Sequence, residues 1–427
     1  MPPLKVLIVG ASIAGPTAAY WLAKTGADIT IIERYPSLRT GGQNVDIRTV
    51  GVAVMRRMPR MEAAVRQNLY HLEGMMLVDE KSRPFATIKP TGNPDQQSLI
   101  SEYEILRGDL GQILFDMTKD NQNIRYVFNE QVSSMQQKGD GPVEVDFMNG
   151  LPSSQFDLVV ACDGSTSRTR AMGFGCGVRD HIVPLHCWQA FYSMKRDLLA
   201  GSKTKQTWST TGGRVMGIGP SALGASRITM MHVPPRNDRG DATLPFREAA
   251  KGGDETLKRY ILQLYEGAGW RCKEIFQDLM QSDDFYATEM VQVKTPNLHK
   301  GRFVLVGDAG YSSGLTGTGT SLAMAGAYVL AGEIGRHPND LAAGLRAYEE
   351  RMKPIVDDLH KIPPGIPGIF APQTAWGIWF RNNVFALVAG IMAYSSVFSG
   401  VFAWVAALYA SAFGTDKHPL PDYKWVA

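Results

Sequence analysis

Cysteine is scarce: Cys162, Cys176, Cys187 and Cys272 are the only four in 427 residues, and no Cys-x-x-Cys occurs. That spacing excludes a disulfide framework and the usual zinc arrangements, so no metal site is expected and a reducing, cytoplasmic setting fits. An excess of either charge is also missing, with 44 basic against 41 acidic side chains for a formal net charge of +3. No basic run of five or more residues appears, and nucleic acid is not an expected partner. The N-terminal apolar run Val6–Val9 is too short for the core of a secretory leader, so no targeting signal is read there. Charge itself disappears between Arg381 and Asp416. Within that stretch, residues 384–413 exceed the roughly 20 apolar residues that span a bilayer.

What is present begins at once. Leu4–Val9 is apolar and largely β-branched, the pattern of a buried parallel strand. It runs into Gly10-Ala11-Ser12-Ile13-Ala14-Gly15, then a helical stretch from Pro16 to Thr25 that Gly26 closes. A second strand follows from Asp28 to Ile32 and ends at Glu33 and Arg34. This is a complete βαβ unit. Gly10 permits the tight turn, the position of Ser12 lets the backbone approach a pyrophosphate, and Gly15 lets helix and strand pack closely. Unpaired N–H groups at Ile13, Ala14 and Gly15 face the anion. Glu33 is placed to hydrogen-bond the ribose of an adenosine half. Dinucleotide binding follows, but this unit alone does not separate FAD from NAD.

Three later segments make that separation. The first is Glu104-Ile105-Leu106-Arg107-Gly108-Asp109-Leu110. The second contains Asp163-Gly164-Ser165-Thr166-Ser167-Arg168-Thr169-Arg170 after an apolar strand. The third joins the strand Phe303–Val306 to Gly307-Asp308 and then to Gly314-Leu315-Thr316-Gly317-Thr318-Gly319-Thr320, ahead of a strongly helical stretch. A glycine-rich loop entering a helix offers N–H donors and a positive dipole end, which suits the negative charge of a reduced flavin. Taken alone, Asp163 and Asp308 also read as ordinary turn aspartates at strand ends.

In order and spacing these segments resemble the flavoprotein hydroxylases typified by para-hydroxybenzoate hydroxylase, nearest the branch of tetracycline-inactivating and secondary-metabolite monooxygenases. The motifs span residues 4–333. The resemblance implies that Asp163, Gly164, Ser167 and Arg170 support FAD and NADPH, that Asp308 contacts the ribityl chain, and that Arg107 lies along the flavin. The segment Gly41–Arg48 resembles the family's loop over the flavin, which makes Gln43, Asp46 and Arg48 site candidates. Gly307, Gly317, Thr318, Gly319 and Thr320 complete the cofactor set. One departure is Ser312-Ser313-Gly314, where relatives commonly carry proline.

The resemblance implies an α/β fold: a Rossmann-like FAD-binding domain (1–75, 104–175 and 286–358) with an inserted antiparallel substrate sheet (76–103 and 176–285). Residues 359–427 form a linker and C-terminal hydrophobic helices. Segments His186–Tyr192, Gly213–Ile218 and Ser226–Val233 read as short strands. His186, Trp188, Tyr192, Arg196, Trp208 and Met216 are candidates to face a pocket, against the plain reading that each is a sheet or core residue. No catalytic base is assigned. The implied activity is a monooxygenase that consumes NADPH or NADH as a transient co-substrate, together with O2. It would hydroxylate or epoxidise a small aromatic, polyketide, alkaloid or terpenoid substrate through a C4a-hydroperoxyflavin. Two alternatives stand beside it: an FAD-dependent dehydrogenase or reductase of an isoprenoid-like substrate, and a non-catalytic membrane-associated FAD-binding protein. Residues 384–413 read either as helices docked on the enzyme or as a membrane-surface element, and monomer and homodimer both remain open.

Overall fold

Short apolar strands alternating with helices dictate a parallel sheet covered on both faces. The computed structural model describes residues 2–39, 41–69, 72–90, 92, 100–221, 225–235, 241–362, 366–393 and 418–425, and builds that sheet from six strands. Their order is His299–Lys300, Phe303–Leu305, Leu158–Ala161, Lys5–Val9, Asp28–Glu33 and Ile124–Phe128. All neighbours pair in parallel except the edge strand His299–Lys300. The fold is therefore α/β with a Rossmann-like core.

Helix Ala14–Ala23 packs against helix Gly319–Arg336, which also packs against helix Leu341–Leu359. Close approach depends on small residues along the middle helix. A Cβ added at Gly326 would lie 1.8 Å from the Tyr311 hydroxyl, and one at Gly332 would lie 2.2 Å from the Tyr423 ring. Tyr423 belongs to the C-terminal tail, which returns to this side of the molecule. Its hydroxyl donates to Glu333 at 2.7 Å, and the ring of Trp425 sits 4.8 Å from that of Trp21.

The second layer is a seven-stranded sheet in the order Tyr286–Val293, Ile182–Met194, Ser226–His232, Arg214–Pro220, Thr204–Thr210, Gly74–Val78 and Pro84–Ile88. Pairing is antiparallel save between Thr204–Thr210 and Gly74–Val78. One difference from expectation concerns residue 286. Tyr286–Val293 is an edge strand of this sheet, fixed by pairing with Ile182–Met194, so the chain rejoins the parallel sheet only at His299. A three-stranded meander, Val132–Gln137, Val143–Phe147 and Ser154–Phe156, covers one face of the parallel sheet.

Helix Ala375–Ala393 packs on strands Pro84–Ile88 and Thr204–Thr210. Gln373 and Arg381 fasten this region: Gln373 Nε2 donates to the Val233 carbonyl at 2.8 Å and Arg381 Nη2 to Ser209 Oγ at 2.7 Å. Of the charge-free stretch, residues 394–415 lie outside the described residues, and with them most of the expected membrane or docking segment 384–413. Among the described residues, no helix is long and apolar enough to cross a membrane.

Candidate active site

The loops leaving four parallel strands meet at one edge of the sheet, where their carboxyl ends open a crevice. Gly10 turns the first loop with φ +108°, and a Cβ there would stand 2.6 Å from the Cys162 carbonyl oxygen. A Cβ on Gly15 would come within 1.9 Å of the Gly10 oxygen, so the helix start is pressed against the turn. Helix Ala14–Ala23 has no side-chain cap and no acidic residue in its first turn, leaving its leading N–H groups free for an anion. Glu33 closes this end: its carboxylate accepts the Ala11 N–H at 2.9 Å and the Tyr35 N–H at 3.1 Å. A cavity opens here, lined by Ala11, Ser12, Glu33, Leu38, Arg39, Arg107 and Gly111.

Arg107 starts the helix Arg107–Asp116, and its backbone N–H donates to the Gln43 carbonyl at 3.1 Å. Burial pulls its guanidinium below the ordinary arginine range, opposed by Tyr286, Asp308 and Glu33 nearby. Asp308 feels the same surroundings with the opposite sign. Its carboxyl opens onto the crevice yet is ringed by protein; desolvation raises its pKa and the attraction of Arg107 holds it down. The two charges face each other across the site.

Below them lies a two-stranded ribbon in which Asn44–Asp46 pairs antiparallel with Glu104–Leu106. Arg48 grips Asp46 through Nε and Nη2, each 2.9 Å from Oδ2, while its own N–H donates to Ser321 Oγ at 2.8 Å. That bond ties the loop over Gly41–Arg48 to the start of helix Gly319–Arg336. Gly317 (φ +70°) lies against the pair, 3.6 Å from Asp46 Oδ2 to the position a Cβ would take. Asn44 Nδ2 donates to Glu104 Oε1 at 2.7 Å. Burial and the Asp46 carboxylate push Glu104 up to about 7, against the pull of Lys205 and Arg48.

The Asp163 segment is held differently. Gly164 takes φ +87° and Asp163 accepts hydrogen bonds from the Ser167 hydroxyl and from Thr169 N and Oγ1. Ser167 caps helix Arg168–Phe174 by accepting the Arg170 N–H at 2.8 Å. Arg170 is fully buried and donates to three carbonyls, those of Ala309 (2.7 Å), Ser165 (3.0 Å) and Val178 (2.7 Å). Ser167 and Arg170 thus act by clamping the Asp163 loop to the Asp308 loop rather than by facing the crevice.

Several features fit a flavin dinucleotide. The glycine cradle would be filled by any side chain, and the first helix is uncapped. Gln43 Oε1 and Asn44 Oδ1, both in the loop over the crevice, are buried polar atoms with no partner of their own. Residues 3–361 match the protein family described as the FAD binding domain. The chain belongs to the FAD-dependent monooxygenases. It is 32% identical to the FAD-dependent monooxygenase asL4 of Sarocladium schorii over 91% of this chain and 93% of that one. It is 30% identical to the monooxygenase CTB7 of Cercospora beticola, over 98% and 97%. Among solved structures, the tetracycline destructase Tet(51) superposes with a TM-score of 0.75 at 25% identity, covering 99% of this chain and 100% of that one.

In this monooxygenase the expected cofactor residues divide by place. Gly10, Ser12, Ile13, Ala14, Gly15 and Glu33 form the first turn and its helix start; Gln43, Asp46, Arg48, Arg107, Asp308, Gly317, Thr318, Gly319 and Thr320 gather round the ribbon and the second helix start. Arg34 is exposed, with its guanidinium over the Tyr35 ring, and the cavity wall is taken by Arg39 instead. Arg39 is missed by sequence reasoning because it lies six residues beyond the strand end, in a loop with no motif. Its position is set by stacking over Tyr35 and Tyr286.

The pocket candidates of the large sheet fall on its other face. Trp188 stacks on Phe246, the Tyr192 hydroxyl donates to the Ile275 carbonyl, Arg196 to that of Glu274, and Trp208 stacks on Trp270. Met216 is buried beside Cys272, and His186 occupies an exposed bulge. His186 apart, these residues anchor the covering helices Leu244–Lys251, Asp254–Leu264 and Cys272–Phe276. Because side chains alternate, the odd-numbered neighbours Gln189, Phe191 and Ser193 take the opposite face, with Arg227, Thr229, Met231 and Tyr286 beside them. That face meets the FAD loops: Arg227 donates to the Gly42 carbonyl and pairs with Asp284.

Proposed function

We propose that this enzyme uses NADPH or NADH and O2 to insert one oxygen atom into a flat, oxygen-bearing small molecule of the aromatic or polyketide kind. The observation that carries this reading is the composition of the sheet face opposite the FAD loops. Gln189, Thr229, Thr207 and Lys205 offer amide, hydroxyl and ammonium groups, while Phe191, Met231 and Met290 offer apolar surface. Such a wall suits a largely apolar ring system with a few oxygens to fix its orientation. FAD, when bound, supplies the redox chemistry: it takes a hydride from the nicotinamide and activates O2, one atom of which enters the product while the other leaves as water.

The protein's own residues do the rest. The turn at Gly10 and the N-terminus of helix Ala14–Ala23 hold the pyrophosphate, and Glu33 the adenosine ribose. Arg107 and Asp308 fix the middle of the cofactor. The start of helix Gly319–Arg336 directs its positive end toward negative charge developing on the ring system. Arg227 keeps the substrate sheet against the loop at Gly42. In reaction class the reading agrees with the relatives named as monooxygenases.

The test is single-turnover kinetics under 18O2, after anaerobic reduction of the holoenzyme by NADPH or NADH, with hydroxylated aromatics and polyketides set against terpenoid hydrocarbons. The expected result is flavin reduction accelerated by an oxygenated aromatic, followed by one 18O atom in the product. Reduction followed by product without label would assign the enzyme to the dehydrogenases or reductases and overturn this reading.

A further inference from the structure

Helix Ala375–Ala393 presents to solvent a face of exposed large apolar side chains. Trp376 is 69% exposed, Trp379 61%, Phe380 51% and Leu387 65%, with Val384 exposed between them. At 100° per residue these five lie within an arc of about 140°. The Trp376 and Phe380 rings stack on one another, 5.4 Å apart. Asn383, the polar member of the arc, turns its amide back to the Trp379 carbonyl at 2.8 Å. The helix is unable to roll this face inward, because Arg381 is fastened on the other side to Ser209 Oγ and to the Phe370 carbonyl. Ile369 and Phe370, on the turn before it, extend the exposed apolar surface. A continuous patch of this kind marks an interaction surface.

Two further observations select its occupant. The patch is rich in tryptophan and phenylalanine, the side chains that settle at the boundary between headgroups and acyl chains. From residue 382 to residue 415 the sequence contains no Asp, Glu, Lys or Arg, so the chain that continues from this face adds apolar character without adding charge. The anchoring geometry then sets the mode. The chain is back on the FAD-binding half by Leu420, where Asp422 pairs with Arg57 and Tyr423 is buried against Glu333. Both ends of the charge-free stretch are thus held by one folded body, which excludes a pass that would leave the C-terminal tail on the far side of a membrane.

We propose that Trp376, Trp379, Phe380, Val384 and Leu387 dock this enzyme on a lipid bilayer from one side, with the helix lying in the interfacial plane. The same helix packs on strands Pro84–Ile88 and Thr204–Thr210, so docking brings the substrate sheet to a surface where apolar molecules concentrate. The attachment is driven by apolar burial and is insensitive to salt, unlike adsorption of a basic patch to anionic lipid.

The experiment is flotation of the full-length holoenzyme with phosphatidylcholine vesicles at low and high salt, with brominated phosphatidylcholine as a tryptophan quencher. The wild-type protein is expected to float at both salt concentrations and to be quenched. The triple variant Trp376→Gln/Trp379→Gln/Phe380→Gln is expected to lose at least tenfold in vesicle affinity while retaining its FAD. Quenching of the wild-type protein needs no variant and tests the contact even if the triple variant folds poorly. Absence of flotation at millimolar lipid would overturn the proposal, as would full binding by the FAD-loaded triple variant. A wild-type dimer that this variant abolishes, without vesicle binding, would assign the face to a second copy of the chain and equally overturn it. None of these readouts depends on the substrate or on turnover.

Discussion

Glu104 shows how one side chain makes the fold sensitive to pH. Desolvation of its half-buried carboxyl, with the Asp46 carboxylate beside it, pushes its pKa up from 4.5 to about 7. The folded protein therefore binds more protons than the unfolded chain between those values. The stability contributed by the proton is complete below about 4.5 and is lost as pH rises through 7. Glu104→Gln, which mimics the protonated form, is expected to be more stable than the parent at pH 8.5 by on the order of 1–3 kcal/mol, with little difference near pH 4.5. Urea midpoints at the two pH values check this, and an equal difference at both would remove Glu104 as the cause. At this scale the sequence was informative where chemistry is local. Gly10, Gly15 and Glu33 are legible because a turn, a close approach and a strand end fix their roles. Arg39 was not, because its place depends on Tyr35 and on Tyr286, nearly 250 residues away.

Elements depend on clamps that a sequence motif names without explaining. In Asp163–Arg170 the serine and the second arginine serve the loop before they serve any ligand. Arg170, buried and spending its guanidinium on three carbonyls, is the more demanding of the two. Arg170→Leu leaves those acceptors buried without donors and is expected to cost about 3 kcal/mol, while Ser167→Ala, which removes the helix cap and one of the hydrogen bonds to Asp163 but leaves the two from Thr169, costs about 1–2 kcal/mol. Thermal unfolding of both variants, with their rates of FAD release, measures the order. A Ser167→Ala loss as large as that of Arg170→Leu would place the clamp on the serine. The strands of the large sheet were legible as alternating segments, but the face was not. Choosing Trp188 and Tyr192 selects the side that packs on helices, since bulky aromatics alternate with Gln189 and Ser193 and only the position of the covering helices decides which side is core. The meander also left a readable trace, Val143-Glu144-Val145-Asp146-Phe147 after the glycine turn at 139–141, an alternation of period two that lies outside every FAD motif.

At the scale of the whole molecule the two larger sheets must face each other at a fixed separation, and Arg227 joins them at the loop over the crevice, as Ser312 and Ser313 join them along strand Tyr286–Val293. Arg227 stands on the large sheet, buried, with Nη1 on Ser193 Oγ at 2.9 Å and on Asp284, and Nη2 on the Gly42 carbonyl of the loop over the crevice. The Asp284 carboxylate also accepts the Ser193 N–H at 2.9 Å, so it stays bonded to the sheet if the arginine is lost. Removing the guanidinium therefore cuts the link between the sheet and the loop while leaving each half internally bonded. Arg227→Met, which keeps the apolar stem, is expected to fold and to bind FAD. It should raise hydrogen exchange in residues 41–48 by about tenfold, the loss of about 1.4 kcal/mol of local protection. Asp284→Asn should have a smaller effect, because the arginine still reaches Gly42. If exchange in the loop is unchanged in Arg227→Met, the loop is held by its Ser321–Arg48 bond to helix Gly319–Arg336 instead, and Ser321→Ala becomes the variant that loosens the crevice.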